Sequence, residues 1–143
     1  MTRINSFPDN FSTTRLLSKN PPILEAKQEI FLPENEKRLG EGGLRAQGYF
    51  KHSRQGKPLI SIVTVVYNGE EFLEETILSV INQDYDNVEY IVVDGGSSDS
   101  TLDIIKKYEE QIDYWVSESD DGIYDAMNKG ISLTTGTLVG ILN

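Results

Sequence analysis

The chain has 143 residues, enough for one domain with a real hydrophobic core. It contains no cysteine, which excludes disulfides and thiolate metal sites, and its single histidine, His52, cannot build a histidine cluster. The net charge of −10 is uneven: residues 1–57 carry +4 and residues 58–143 carry −14. An acidic body repels nucleic-acid phosphates. It also repels a nucleoside diphosphate unless a cation intervenes. No apolar run approaches the roughly 18 residues needed to span a bilayer. The N-terminus lacks the apolar region of a secretory signal, so a cytoplasmic location is the expectation. The basic leader adds peripheral association with the inner face of a membrane as a further option.

Residues 1–57 read as a polar leader, partly disordered or docked onto the domain or a partner. Ile23–Phe31 allows one short helix after Pro21-Pro22, Gly40–Gly43 reads as a flexible break, and His52 as a solvated loop residue. From Pro58 the pattern changes. Leu59–Val66 is rich in β-branched residues and predicts a strand. Tyr67-Asn68-Gly69 is a turn, and Phe72, Leu73, Ile77, Val80 and Ile81 then recur at helical spacing between Glu70 and Gln83. Val88–Val93 predicts a second strand, buried on both faces. It runs into Asp94-Gly95-Gly96, and Ser98 or Asp99 caps a second helix marked by Leu102, Ile104, Ile105 and Tyr108. Tyr114–Ser117 is a short third strand. A third helix follows, with Ile123, Ala126, Met127, Gly130 and Ile131 on one face, and Leu138–Leu142 opens a fourth strand. This β-α-β-α-β-α-β order predicts an α/β fold, a Rossmann-like, mostly parallel sheet with helices on both faces.

Parallel strands send their following loops to the same side. Tyr67-Asn68, Asp94-Gly95-Gly96 and Asp120-Asp121-Gly122 are therefore expected to converge on one crevice. Carboxylates and amides there suit ribose hydroxyls or a base edge. No G-x-G-x-x-G follows the first strand and no G-x-x-x-x-G-K-[ST] occurs, which excludes those two phosphate-binding patterns. Each acidic residue also has a plain structural reading. Asp94 is a strand end or a ligand; Asp99 a helix-start residue or a ligand; Asp120 and Asp121 a turn or a metal pair. Asp125 and Lys129 form a favourable i,i+4 pair whether or not they meet a ligand. Trp115 is core or a sugar platform.

The blocks Pro58–Asn68, Thr76–Gln83, Tyr90–Thr101, Gly122–Gly130 and Gly136–Asn143, in this order, resemble the start of a family 2 glycosyltransferase over residues 58–143. The resemblance implies a GT-A fold, a nucleotide-sugar donor such as a UDP-sugar, an Mg²⁺ or Mn²⁺ ion and inversion at the anomeric carbon. It implies a glycan or lipid-linked acceptor in polysaccharide biosynthesis. On the same basis Val66, Tyr67 and Asn68 line the base pocket, Asp94 bonds the uracil or its ribose, and Asp125, Asn128 and Lys129 face the donor. The family's metal motif and general base are expected after Asn143. Residues 58–143 are thus expected to be the N-terminal part of a GT-A domain, with no catalytic residue and no metal ligand of its own. A non-catalytic nucleotide-binding or interaction module is the alternative. A nucleotidyltransferase shares the sheet order, but its basic phosphate loop would stand where Tyr67–Glu71 is acidic.

Overall fold

A computed structural model describes residues 17–142; residues 1–16 of the leader and Asn143 lie outside the described residues. Five strands and three α-helices are described. The strands are β1 (Arg38–Gly42), β2 (Ile60–Val66), β3 (Val88–Asp94), β4 (Tyr114–Glu118) and β5 (Leu138–Ile141). The helices are α1 (Leu73–Ile81), α2 (Thr101–Lys107) and α3 (Ile123–Ser132). They form one sheet of order β1-β4-β3-β2-β5, parallel except for β1.

The order explains where the helices lie. From β2 the chain steps to β3 and on to β4, then returns past β2 to place β5 on the other side. Right-handed crossovers put helices on one face while the sheet grows one way, and on the opposite face when it reverses. Accordingly α1 and α2 cover one face and α3 the other. Strand alternation matches this division. Val88, Tyr90 and Val92 of β3 pack with α1 and α2, whereas Ile91 and Val93 pack with Ala126 of α3. Gly130 makes the second contact possible, since a Cβ there would run into Val63 Cγ1. The predicted face of α3 holds at its centre, with Ala126 and Gly130 buried; Ile123 and Ile131, nearer its ends, are 51% and 45% exposed.

Helix α1 starts at Leu73, three residues later than the acidic run Glu70–Glu71 suggests. The backbone N–H of Leu73 bonds the Gly69 carbonyl at 2.9 Å, so residues 69–72 form the turn into it. Strand β1 is the element that sequence reading missed. It adds antiparallel to β4, with Gly42 opposite Trp115 and Arg38 opposite Glu118. Its glycines are not a flexible break. A Cβ at Gly40 or Gly42 would come within 2.9 and 2.7 Å of the Trp115 indole, so their absence of a side chain makes room for a core ring. Trp115 is 2% exposed and gives its indole N–H to Glu109.

No helix forms over residues 23–31. A local turn joins Glu25 and Gln28 instead, and the Glu29 N–H bonds the distant Ser132 carbonyl at 2.8 Å. The rest of the segment is fastened by two buried ion pairs. Arg45 Nη2 meets Glu89 at 2.6 Å and also donates to the Leu133 carbonyl at 2.8 Å. Lys51 Nζ meets Asp113 at 3.0 Å and donates to the Val88 carbonyl at 2.7 Å. Desolvation dominates the second pair, pulling the Lys51 ammonium pKa down and pushing the Asp113 carboxyl up. Two cations of residues 17–57 thus pair with two carboxylates of the acidic body inside the fold. His52 is half-buried, its ring paired with the Asn20 carbonyl at 2.7 Å.

Candidate functional site: a crevice at the strand ends

The C-terminal ends of β2, β3 and β4 open onto one crevice of roughly 600 Å³, within the range of ligand pockets. Val65, Val66 and Tyr67 form one wall, Gly95 and Gly96 the floor turn, and Ser119, Asp120 and Gly122 the far wall. Ile123 and Ala126 close it from the start of α3. Two features let the walls approach. Gly96 has φ +86°, which favours glycine, and an added Cβ would sit 3.2 Å from the Ser119 backbone. At Gly95 a Cβ would come 2.7 Å from Asp120 Oδ2, so this carboxylate rests directly on the glycine turn.

Val66 and Tyr67 lie in the crevice, and Tyr67 is 66% exposed. Asn68 stands beside it in the left-handed region, at φ 49°. Its backbone N–H donates to Ser97 Oγ at 2.7 Å, and its side-chain oxygen accepts the Ser98 N–H at 2.9 Å. Asn68 therefore joins the β2 loop to the β3 loop.

Asp94 lies beneath the turn and is fully buried. Alternation along β3 puts its side chain on the face of Tyr90 and Val92, away from Val65 and Ala126. Its carboxylate accepts the Ser97 N–H at 3.0 Å, the Ser117 hydroxyl at 2.6 Å and, at short range, the Ser97 hydroxyl. Asp99 accepts the Thr101 N–H at 2.9 Å and the Glu70 N–H at 3.3 Å, so it works as a helix-start residue. Burial opposes its ionisation, but these hydrogen bonds outweigh that and lower its pKa.

The other candidates fall elsewhere. Asp125, Asn128 and Lys129 line a separate hollow with Glu29, Leu32, Pro33 and Asn35. Lys129 meets Glu118 at 3.1 Å and Asp125 at 3.5 Å. The Asp125 carboxyl is held low chiefly by the Asp121 N–H it accepts at 3.0 Å, with a smaller contribution from Lys129. Asp120 Oδ1 accepts the Gly122 N–H at 3.0 Å, which is the turn expected of an Asp-Asp-Gly run. Its second oxygen still borders the crevice, so Asp120 belongs to the site as well as to the turn. Its position directly after a strand of the parallel set was the signal available for that role.

Among the described residues no group of three or more His, Cys, Asp or Glu side chains is placed to hold a metal ion. Asp120 accepts the Gly122 N–H with one oxygen, Asp121 donates its backbone N–H to Asp125, and no third ligand stands with their carboxylates, so these residues alone do not fit an Mg²⁺ or Mn²⁺ site. Nor is any helix of the described residues long and apolar enough to cross a membrane.

Known proteins share this framework. The model of "Glycosyl transferase family 2" matches residues 61–143, more than half of the chain. Glycosyltransferase Rv1514c of Mycobacterium tuberculosis is 40% identical over 87 residues, covering 60% of this chain and 33% of that protein. TuaG of Bacillus subtilis, named for teichuronic acid biosynthesis, is 37% identical over 90 residues, covering 61% and 36%. The chain thus spans about a third of the length of these relatives. Among solved structures, the mannosyltransferase PcManGT of Pyrobaculum calidifontis, in complex with GDP-Man and Mn²⁺, superposes with a TM-score of 0.54 at 27% identity. That likeness covers 58% of this chain and 26% of PcManGT. TarS of S. aureus shares the fold, with a TM-score of 0.51 at 24% identity over 59% of this chain and 16% of its own. With a mostly parallel sheet, its crevice at the strand ends and a family match across β2 to β5, the chain belongs to glycosyl transferase family 2.

Proposed function

We propose that the crevice receives the nucleoside end of a nucleotide-sugar, and that the protein transfers the sugar to a glycan or lipid-linked acceptor with inversion. The observation that carries this reading is the convergence of three strand ends on one pocket lined by Val66, Tyr67, Gly95, Gly96 and Asp120. Tyr67 offers an exposed ring against which a base can lie. The glycine turn lets the ligand approach the backbone closely. Asp120 offers a carboxylate oxygen to an imino N–H or a ribose hydroxyl, which suits uracil and favours a UDP-sugar.

In this reading Asp94 meets the base or ribose by exchanging the Ser97 hydroxyl for a donor of the nucleoside. Asp125, Asn128 and Lys129 act from the neighbouring hollow, toward the rest of the donor. PcManGT carries Mn²⁺ with its donor. A divalent cation bound here would neutralise the diphosphate as it leaves, and would need ligands in addition to the described side chains. Teichuronic acid synthesis, for which TuaG is named, points to polysaccharide assembly as the setting. Work at the inner face of the membrane fits a lipid-linked acceptor.

Calorimetric titration with UDP in the presence of Mg²⁺ tests the reading. Saturable binding is expected, weakened by about 1–3 kcal/mol in Asp94→Ala, the cost of losing a hydrogen bond to a charged group. Unchanged affinity in a folded Asp94→Ala variant would remove the role given to Asp94. No binding of any nucleoside diphosphate would leave the interaction-module reading in its place.

A further inference from the structure

We propose that residues 17–57, which precede the family match, brace the far wall of the crevice, with Arg38 as its positioning residue. This rests on the reading of the crevice as the donor site, since only then does its far wall matter to binding. The wall is Ser119, Asp120 and Gly122, and it begins directly after Glu118, the last residue of β4. Within residues 61–143, β4 is an outermost strand; β1 covers its free edge. The register sets Arg38 opposite Glu118, at the point where β4 becomes the wall.

Three side chains converge on Glu118 at that point. Arg38 Nε donates to Glu118 Oε1 at 2.5 Å, and Asn35 Nδ2 donates to Glu118 Oε2 at 2.9 Å. Lys129 Nζ, from α3, approaches Glu118 Oε2 at 3.1 Å. The remaining nitrogens of Arg38 reach back to the Pro33 carbonyl at 2.6 Å and to Glu41 at 2.9 Å. Glu118 is 3% exposed, so its charge is held by these partners rather than by water. A guanidinium offers a fixed planar set of donors and fixes orientation as well as charge. Three separate pieces of chain (β1, the segment at 33–35 and α3) are thereby joined through one carboxylate at the foot of the wall.

The wall has little freedom before the crevice changes shape. Ser119 backbone atoms lie 3.2 Å from where a Cβ on Gly96 would be, and Asp120 Oδ2 lies 2.7 Å from the corresponding point on Gly95. A strand end that drifts by an ångström alters the spacing between Asp120 and Tyr67. Placement of binding groups at that tolerance depends on the residues behind them. Here those residues belong to the N-terminal segment.

The test compares Arg38→Met, Arg38→Lys and Lys51→Met in the whole chain. Lys51→Met removes a different buried cation of the same segment, one that does not touch Glu118. Hydrogen exchange of the 119–122 amides is read by mass spectrometry. Arg38→Met is expected to speed it about tenfold through local opening, Arg38→Lys to restore part of the protection, and β2 to keep its own. Lys51→Met is expected to lower the melting temperature without selectively exposing residues 119–122. UDP affinity is expected to fall several-fold in Arg38→Met and to hold in Lys51→Met. Equal exchange at residues 119–122 in Arg38→Met and the parent chain overturns the brace, as does the same local increase in Lys51→Met. Faster exchange with unchanged UDP affinity overturns its link to binding. If the parent chain binds no nucleotide, the donor reading falls, and the exchange data still decide the brace. Should Arg38→Met fail to fold, Arg38→Lys carries the same comparison, with a smaller expected increase.

Discussion

At the scale of single residues, one carboxylate can be read in two ways, and its neighbours separate them. Asp94 is buried and accepts three hydrogen bonds, two of which pin Ser97 and one Ser117. Its first effect is to shape the turn that floors the crevice. Asp94→Ala is therefore expected to cost about 3 kcal/mol of stability by leaving buried donors unpaired, measurable by urea denaturation alongside the binding experiment. Glu118 supplies a pH dependence. Burial alone would push its carboxyl up, but Arg38 and Lys129 outweigh that and hold it below 4.5, the ordinary glutamate value. A depressed folded-state pKa contributes stability that is complete above 4.5 and is lost as pH falls through the lower value. Glu118→Gln should thus be clearly less stable than the parent at pH 7, with the gap closing under acid. A pH-independent gap in melting temperature would show that charge is not what Glu118 contributes.

At the scale of elements, periodicity was legible where packing is local. β2, β3, β4, α2 and α3 lie within a residue or two of the spans that β-branched content, short apolar runs and helical spacing indicate. β1 was not legible, because Arg-Leu-Gly-Glu-Gly has poor strand propensity and its pairing with β4 spans more than 70 residues of sequence. Its glycines answer to Trp115, a partner visible only in three dimensions. For the site, the three converging loops could be read from parallel topology. Asp120 belongs to one of those loops, and its turn role, left open against a metal pair in the sequence, is compatible with its place in the crevice. The separation of Asp125, Asn128 and Lys129 from Tyr67 could not be read, since it depends on which residues of the leader cover α3. The contact between α3 and β2 makes a sharp prediction. Gly130→Ala should destabilise the domain by about 1–3 kcal/mol through overpacking against Val63. Pairing it with Val63→Ala should recover part of that loss, as a double-mutant cycle would show; strict additivity would mean the two sites do not touch.

At the scale of the molecule, the charge asymmetry of the sequence becomes a structural principle. Residues 17–57, with 8 Lys/Arg and 5 Asp/Glu, fold onto a −14 body, and two of their cations are buried with carboxylates of the sheet region. Breaking one such pair leaves an uncompensated buried charge, so Arg45→Met should cost about 3–5 kcal/mol. Arg45→Met combined with Glu89→Met should cost less than Arg45→Met alone, by chemical denaturation. The opposite edge is different in kind: on β5, Leu138, Val139 and Ile141 are each more than 40% exposed. The crevice lies between these two regions, open at the strand ends. Its assignment as the nucleoside site is tested most directly by titrating the chain with UDP and Mg²⁺ while recording backbone amide shifts. The account predicts saturable shifts concentrated at Tyr67, Gly95–Ser97 and Asp120–Ile123; shifts confined to other residues, or none up to millimolar UDP, would contradict it.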